Sequence, residues 1–293
     1  MKVESFPAPA KLNLMLRVVG RRADGYHLLQ TVFRFLDYGD EVRIAVRGDG
    51  VVRRVTALAG IPEDDDLAVR AARALKAKTG TKLGADIEVV KRVPLGGGLG
   101  GGSSDAATVL LALNRLWDGG LGRAELQALG LTLGADVPAF VFGQSAFAQG
   151  IGEALEPLAL PPAWYIVLTP PVAVPTARIF NDPHLKRDSK PIKIQRFSVG
   201  GRGVRNFGNF GNLATNDLEP VVCRLYPEVA RHLDWLRQHA PALMTGSGAS
   251  VFAAFDTERE ARQVIARVPA GMQGFVARGL DMHPLRELAD HSV

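Results

Sequence analysis

The sequence predicts an α+β protein of two domains, on three observations. The chain has 293 residues, which is enough for two ordinary domains. It opens with consecutive strand-like segments and lacks the regular strand–helix alternation of a doubly wound sheet. A proline-rich stretch near residues 159–162 then precedes a fresh strand pattern, "WYIVLTP". We therefore expect an N-terminal domain over residues 1–160 and a C-terminal domain over residues 161–293.

The composition is that of a globular protein with a substantial core, because 47% of the residues are hydrophobic and 22% are charged. The formal charge of +5 suits an anionic small molecule as well as it suits nucleic acid. Cys223 is the single cysteine, so no internal disulfide can form and a reducing cytoplasm is expected. The N-terminus lacks a signal-peptide pattern and no stretch is long enough to span a bilayer. We expect a cytoplasmic protein that does not enter a membrane.

The first elements form an antiparallel sheet. "AKLNLMLRVVG" alternates, so the residues from Leu12 to Val18 at every second position share a core face, while Lys11 and Asn13 share the opposite one. Asp24-Gly25 signals a turn, and two more strand patterns follow, "LLQTVFRFL" and "DEVRIAV".

Helices and a strand surround the glycine-rich segment. "DDDLAVRAARALKAKTG" predicts a helix, and "ADIEVVKRVP" predicts a strand. After the glycines, apolar residues keep helical spacing from Ala106 to Trp117, and Ser103 and Ser104 are expected to cap that helix. A short helix follows near residues 123–129. Val137-Pro138 is expected to break any helix there, and "GIGEALEPL" is expected to be a connector.

The second half predicts strands at "WYIVLTP", "SVFAAF" and "GFVARGL", with helices near residues 218–223, 228–238 and 259–268. Residues 186–212 are basic, rich in Gly and Asn, and without aliphatic periodicity, so we expect a solvated, mobile loop. The same stretch interleaves Arg with Phe, as single-strand nucleic-acid binders do. A nucleic-acid-binding module therefore stays an alternative, although one loop and a modest net charge argue against it.

The run "PLGGGLGGGSSDAATVL" at residues 94–110 indicates phosphate binding. Glycines let backbone N–H groups approach an anion closely, and a helix N-terminus adds unpaired N–H groups and partial positive charge. A flexible linker or a tight packing turn is the alternative, but a linker should not run directly into an amphipathic helix. The run is not a Walker A motif, because Gly102 stands where that motif requires Lys. Its match to a dinucleotide fingerprint is accidental in so glycine-dense a segment.

The same run resembles the phosphate loop of the galactokinase–homoserine kinase–mevalonate kinase–phosphomevalonate kinase (GHMP) superfamily. "PAPAKLNLML" near the start and "LMTGSGASVFA" near the end fall in the matching order. Further stretches resemble the members that phosphorylate a sugar alcohol linked to cytidine diphosphate in non-mevalonate isoprenoid synthesis: "AKLNL", "DGYHLLQTVF", "LGADVPAF", "GIGE", "PTARIF" and "NDLEPVV". The likeness spans about residues 7–255 and is weak over 186–212.

The resemblance implies a GHMP kinase two-domain fold. Its N-terminal nucleotide domain would be like ribosomal protein S5, its C-terminal domain a ferredoxin-like α/β sandwich, and the active site would lie in the cleft between them. It also implies that ATP binds the glycine loop and brings Mg²⁺, with Ser104 the one candidate metal ligand. The implied nucleotide contacts are Asp66, Pro94, Leu95, Gly96, Gly97, Gly98, Leu99, Gly100, Gly101, Gly102, Ser103 and Ser104. The family usually has Asn at Asp66 and Ala at Gly97.

For phosphoryl transfer, the resemblance implies Asp136 as the base and Lys11 as its partner. Lys11 would favour the charged forms of the acid and of the attacking hydroxyl. A carboxylate is a weak base for an alcohol, so proton transfer should come late and orientation of the hydroxyl should be the larger role. Considered alone, Asp136 is more readily a turn or cap residue, and Lys11 is more readily a solvated strand residue.

For the acceptor, the resemblance implies that Tyr26 and Phe180 sandwich a cytosine whose edge His27 reads. Core packing is the alternative for the two rings, and a surface imidazole for His27. The other implied substrate contacts are Asn13, Thr245, Gly246, Ser247 and Gly248. A homoserine, mevalonate or sugar kinase remains an alternative within the superfamily, and a weak homodimer is left open.

Overall fold

The computed structural model describes residues 2–58, 60–193 and 214–290. The strands are β1 Val3–Arg21, β2 His27–Arg47, β3 Val52–Arg54, β4 Gly84–Val90, β5 Ala146–Gly150, β6 Ala154–Pro157, β7 Trp164–Leu168, β8 Ala242–Met244, β9 Val251–Phe255 and β10 Gly274–Leu280. The helices are α1 Leu67–Thr79, α2 Gly101–Leu116, α3 Arg123–Leu131, α4 Val137–Phe142, α5 Thr176–Phe180, α6 Glu219–Leu225, α7 Pro227–Arg237 and α8 Glu258–Ile265. Short 3₁₀ turns lie at Glu63–Asp65 and Arg286–Ala289.

One sheet runs through the described part of the chain. β2 is its hub, because it pairs antiparallel with β1, β4, β5 and β10. Beyond β10 the order continues β7-β9-β8, and β3 joins β4 as a parallel edge strand. The link between β2 and β10 is short, at Gly279 opposite Leu36 and Leu280 opposite Phe35. These strands and the flanking helices form an α+β architecture, as the sequence predicts.

Three apolar clusters hold the layers together. α1, α2 and α4 pack on the face of β2 and β4 around residues such as Leu75 and Ile87. A second cluster joins β7, β9, α6 and α7, and it also takes in Leu16 and Val18 from the end of β1. The third lies where β1, β7 and β9 meet. Because β1 contributes to the second and third clusters, its register is fixed on both sides of Lys11 and Asn13. The predicted boundary near residue 160 stays a prediction.

Three local predictions are wrong. Ser103 and Ser104 do not cap α2, because the helix begins at Gly101 with Gly100 as its N-cap and both serines lie inside the first turn. Val137-Pro138 does not break a helix. It starts α4, since proline near a helix N-terminus has no N–H to lose. The segment predicted as a connector contains β6, which pairs with β5; its acidic and proline residues masked the strand pattern.

The loop prediction for residues 186–212 is partly wrong. Residues 186–193 have no regular structure, as expected, but they are not uniformly solvated. Ser189 is buried and donates its N–H to Val18 O at 3.0 Å, and Ile192 donates to the Gln30 Oε1 atom at 2.8 Å. The remaining positions, 194–212, lie outside the described residues, and so does the Arg/Phe pattern on which the nucleic-acid alternative rests. Within the described chain, no helix is long and apolar enough to cross a membrane.

Leu75 tests the main core, since its side chain is fully buried between α1 and the sheet. We expect Leu75→Ala to lower the free energy of unfolding by about 2–5 kcal/mol through lost burial and a residual cavity. Urea unfolding followed by circular dichroism measures the change. Leu131→Ala is the matched control, because Leu131 is 36% exposed at the end of α3 and should cost less than about 1 kcal/mol. Equal losses in both variants would contradict this packing.

Candidate active site

The glycine loop at residues 96–102 enters α2 through Gly100, which has the left-handed φ of 73°. A Cβ added at Gly100 would lie 3.0 Å from Lys11 Cε and 2.9 Å from Phe140 Cζ, so no side chain fits. The loop is tied to β1 by the Lys11 N–H, which donates to Leu99 O at 2.9 Å. The first N–H groups of a long, buried helix therefore open beside Lys11.

The C-terminal turn at residues 245–250 packs directly on this loop. Ser250 donates its N–H to Gly97 O at 3.0 Å. A Cβ at Gly98 would meet Thr245 O at 2.4 Å, so the two backbones touch and only glycine is accommodated there. The sequence separates these segments widely, and the sheet brings them together. Asn216, which the sequence analysis did not identify, holds the turn by donating from Nδ2 to Met244 O and Gly246 O, each at 2.8 Å.

Lys11, Asn13 and Asp136 form a polar cluster beside the loop. The Lys11 Nζ lies 3.1 Å from Asp136 Oδ2 and also donates to Asn13 Oδ1. Lys11 is buried, with 4% of its side chain exposed, whereas Asp136 is 36% exposed. Asp136 stands at the N-cap of α4 but makes no side-chain cap hydrogen bond. Its carboxylate is thus held by Lys11 and remains open to solvent on its other side.

Asn13 is fixed from three directions. Its Nδ2 donates to Thr31 Oγ1 at 2.8 Å, and its backbone N–H donates to Thr245 Oγ1 at 2.8 Å. Thr31 in turn donates to Met15 O at 2.6 Å. With Lys11 on its Oδ1, the amide has one defined orientation. Lys11 and Asn13, two buried polar side chains on one strand face, therefore both have hydrogen-bond partners. Without partners, burial of such groups would cost free energy.

A cavity of about 420 Å³ collects these groups. It is lined by polar residues from β1 and the loop before α4, by the glycine loop and Ser103, and by apolar residues around Phe180. Ser247 and Thr176 face each other across its rim, with their hydroxyls 2.8 Å apart. Of the predicted contacts, the following line the cavity: Lys11, Asn13, Pro94, Leu95, Gly96, Gly97, Gly98, Gly100, Gly101, Gly102, Ser103, Asp136, Phe180, Gly246, Ser247 and Gly248.

A second cavity of about 360 Å³ adjoins the first and shares Leu67, Lys91, Leu95 and Gly102 with it. Asp66 lies in this second cavity and caps α1, since Oδ1 accepts from the Ala68 N–H at 2.9 Å. Arg54, which sequence reasoning missed, donates to Asp66 Oδ2 at 3.0 Å and is as buried as its partner. The carboxylate is thus paired and rigid at the wall of the cavity.

Lys91 lies between the two cavities and was not predicted. Its Nζ donates to Asp105 Oδ2 at 2.8 Å and to Asp40, whose other oxygen accepts from the Val93 N–H at 2.8 Å. Burial lowers the pKa of Lys91, but the charges of Asp105 and Asp40 outweigh that effect and raise it. One ammonium thus faces two carboxylates. Burial, which Lys91 only partly offsets, raises the pKa of Asp105 to about 7, and its Oδ1 has no partner.

Of the predicted base-binding residues, Phe180 lines the cavity, whereas His27 at the start of β2 and Tyr26 just before it do not. His27 is buried and its ring lies 4.9 Å from that of Phe180, centroid to centroid. Burial, followed by the charges of Arg187 and Arg21, lowers the pKa of His27. Tyr26 is 61% exposed, so its ring is not packed in the core. The core-packing alternative therefore fails for Tyr26, and Phe180 is only half-buried.

Three other predicted residues lie behind the cavity wall. Ser104 is fully buried and donates to Pro9 O at 2.7 Å, so its hydroxyl faces away from the cavity and does not fit a metal-ligand role. Leu99 is buried in the core and contributes its carbonyl to Lys11. Thr245 is buried and orients Asn13. No group of three acidic, His or Cys side chains within the described ranges could hold a metal ion.

Family comparisons define the class of protein. The model of the GHMP kinases N terminal domain matches residues 66–144, and that of the GHMP kinases C terminal domain matches residues 201–274. A homoserine kinase from Cytophaga hutchinsonii has the same fold, with a TM-score of 0.67 at 20% identity over 94% of this chain and 95% of that one. The chain belongs to the GHMP kinases and has their two-domain fold, as its glycine loop suggested.

Sequence relatives narrow the family. The 4-diphosphocytidyl-2-C-methyl-D-erythritol kinase of Nitrosospira multiformis is 58% identical and covers 98% of this chain and 94% of its own. That of Thiobacillus denitrificans is 60% identical over 96% of this chain and 97% of its own. A crystal structure of 4-(cytidine 5'-diphospho)-2C-methyl-D-erythritol kinase superposes with a TM-score of 0.79 at 34% identity, over 94% of this chain and 99% of that one. Within the GHMP kinases, the chain is a member of the 4-diphosphocytidyl-2-C-methyl-D-erythritol kinase family.

Lys91 faces two carboxylates, and this excess of negative charge makes the free energy of unfolding depend on pH. Because the pKa of Asp105 is raised in the folded protein, the folded state binds its proton more tightly than the unfolded state between about pH 4 and pH 7. Stability from this group is therefore lost as pH rises through that window. We expect Asp105→Asn to flatten the pH dependence and to stabilise the protein by ~1–3 kcal/mol at pH 8.

Thermal and urea unfolding at pH 5 and pH 8 measure this effect. Asp234→Asn is the matched control, because Asp234 is exposed on α7 and its substitution should leave the pH profile unchanged. A wild-type profile that rises from pH 5 to pH 8 and is unaltered by Asp105→Asn would contradict the assignment.

Proposed function

We propose that this protein transfers the γ-phosphoryl group of ATP to the 2-hydroxyl of 4-(cytidine 5'-diphospho)-2-C-methyl-D-erythritol. The products are the 2-phosphate and ADP, in the non-mevalonate route to isoprenoid precursors. The observation that carries the proposal is the Lys11–Asp136 pair, which opens into the same cavity as the glycine loop and the N-terminus of α2. A carboxylate and an ammonium beside a phosphate-binding helix terminus are the parts that phosphoryl transfer to an alcohol requires.

ATP would occupy both cavities. Its phosphates would lie on the bare amides of the glycine loop and the first turn of α2, with Ser103 as a further donor. Its adenosine would lie in the second cavity, where Asp66 can accept from the exocyclic amine of adenine. Lys91, at the border of the two cavities, supplies positive charge near the nucleotide.

Asp136 and Lys11 would prepare the acceptor hydroxyl. The open side of the Asp136 carboxylate can accept the hydroxyl proton, while the neighbouring ammonium stabilises the negative charge that develops on the attacking oxygen. The amide of Asn13, oriented by Thr31 and Lys11, is placed to hold a second hydroxyl of the acceptor. Transfer then needs only an in-line approach to the γ-phosphorus, because little covalent help is required.

The acceptor's nucleobase would bind at His27, Tyr26 and Phe180. The exposed ring of Tyr26 and the half-buried ring of Phe180 provide apolar faces for a cytosine. The turn at residues 246–248, with its hydroxyl pair Ser247 and Thr176, would take the acceptor's diphosphate. A mevalonate, homoserine or sugar acceptor has no base, and it would leave the His27 end of the site without a function.

We propose that Mg²⁺ arrives with ATP. Mg²⁺ keeps water and phosphate ligands in preference to an all-protein cage. When bound, the ion neutralises phosphate charge; the residues of this chain orient and bind the two substrates around it. A cytoplasmic location and a weak homodimer remain predictions from the sequence.

An acceptor panel tests the proposed function. Purified protein is incubated with ATP and with 4-(cytidine 5'-diphospho)-2-C-methyl-D-erythritol, mevalonate, homoserine or galactose, and ADP release is measured. We expect turnover with the cytidine compound alone, and ³¹P NMR should place the new phosphate on the 2-oxygen. Faster turnover of mevalonate or homoserine would favour another GHMP kinase activity. Steeply salt-dependent RNA binding without ATP turnover would favour the nucleic-acid alternative.

Asp136→Asn tests the base. The carboxamide keeps the shape of the side chain but cannot take a proton, so we expect kcat to fall by about 10²–10⁴-fold. Nucleotide affinity, measured by calorimetry, should change by less than about threefold, because Asp136 does not line the second cavity, where the adenosine would bind. Asp256→Asn, at an exposed bend after β9, is the matched control and should leave kcat unchanged. Near-normal turnover of Asp136→Asn would remove Asp136 from the mechanism.

A further inference from the structure

Arg187 makes an unusual set of contacts behind the proposed base site. Its Nε donates to His27 Nε2 at 3.0 Å. Its Nη2 donates to Phe180 O at 2.9 Å and to Asp182 O at 2.8 Å, and its Nη1 donates to Leu185 O at 3.1 Å. The guanidinium is half-buried and joins the start of β2 to the end of α5. None of the sequence motifs pointed to it, because it lies in the stretch that the pattern assigned to a solvated loop.

A guanidinium can only donate hydrogen bonds, because it stays protonated in proteins. The His27 Nε2 atom must therefore present its lone pair to Arg187. Burial and the charges of Arg187 and Arg21 also disfavour a second proton on the ring. The ring is then neutral and carries its one proton on Nδ1, since the hydrogen bond at one ring nitrogen decides the state of the other. No hydrogen bond among the described residues occupies Nδ1.

We infer that Arg187 is a positioning residue that holds His27 as an Nδ1–H donor, so that the site selects cytosine over uracil. The inference rests on the proposed function, because it concerns the base of the acceptor. Cytosine presents an unprotonated N3 that accepts a hydrogen bond, whereas uracil presents an N3–H that donates. A fixed donor therefore matches cytosine and leaves two opposed donors with uracil, one of which is unpaired in a partly desolvated site.

The guanidinium of Arg187 has a second role, because it also binds backbone carbonyls beside the Phe180 ring. By binding the carbonyl of Phe180, the guanidinium ties the half-buried ring to the same histidine that it orients. The stacking surface and the hydrogen-bond donor are thus set by one side chain. Arg224 offers a contrast, since it pairs with the Asp182 carboxylate at 2.7 Å and 2.8 Å but makes no hydrogen bond to His27.

A spectroscopic experiment tests the tautomer independently of activity. The protein is labelled with ¹⁵N in the imidazole rings of its six histidines, and the His27 signals are assigned as those lost in His27→Asn. At pH 8 we expect a protonated Nδ1 and an unprotonated Nε2 in the wild type, and a mixture of tautomers in Arg187→Ala. A wild-type His27 with its proton on Nε2 would overturn the inference, whether or not the enzyme has the proposed activity.

Kinetics test the consequence. With the cytidine acceptor, we expect Arg187→Ala to raise KM about 5- to 10-fold, the size of one lost hydrogen bond, with kcat and the KM for ATP changed by less than about twofold. The preference for the cytidine acceptor over its uridine analogue should fall by about the same factor. Arg224→Ala is the matched control and should alter neither quantity.

The His27→Asn background separates positioning from simple structural support. An Asn amide presents an N–H near the place of Nδ1 and has no tautomer to fix. We expect Arg187→Ala to change the acceptor KM by less than about twofold in that background. An equal loss in both backgrounds would show that Arg187 only holds the loop together and would overturn the inference. Absence of turnover with the cytidine acceptor in wild type, despite the Nδ1–H tautomer, would instead count against the proposed function alone.

Discussion

The backbone contact between the glycine loop and the turn at residues 245–250 is the constraint on which the site depends. Gly98 and Thr245 are so close that a single Cβ would collide with a carbonyl oxygen. This contact leaves the first N–H groups of α2 at the floor of a cavity whose walls come from both halves of the chain. The conformational entropy of the glycines is offset because the loop is held by hydrogen bonds to β1 and to Ser250 before any anion arrives.

The burial of charge on β1 follows from the same arrangement. An ammonium and an amide with less than one twentieth of their surface exposed would be costly in an unpartnered state. Here each has defined partners, and the one member of the cluster that keeps an open face is Asp136. The site is therefore rigid where it orients groups and accessible where the acceptor enters. A preorganised arrangement of this kind contributes to transfer because no reorganisation is needed during reaction.

The surrounding charges are shared rather than paired one to one. Lys91 serves two carboxylates, Asp66 serves both a helix cap and Arg54, and Arg187 serves one imidazole and three carbonyls. Because each of these charged groups has several partners, the local charge balance depends on where each group lies. Burial raises the pKa of Asp105 near the start of α2 to about 7, because the shared Lys91 offsets that effect only in part. The electrostatics of the loop are set by its second layer of residues as well as by the loop itself.

The sequence alone determined the α+β class, most strands and helices, the glycine loop and the shared strand face of Lys11 and Asn13, because each is a local pattern of period, turn chemistry or backbone freedom. Its motif order also identified the family, and Lys11 and Asp136 proved to be neighbours.

Only the tertiary structure decided what depends on distant partners. The N-cap of α2 is Gly100, where Lys11 and Phe140 leave no room for a side chain, and the Ser104 hydroxyl donates to Pro9 O on β1. Residues 186–193 pack against the protein because Val18 O and the Gln30 side chain accept hydrogen bonds from them. The roles of Lys91, Arg54 and Arg187 depend on partners that are distant in the sequence, so no spacing along the chain could predict them.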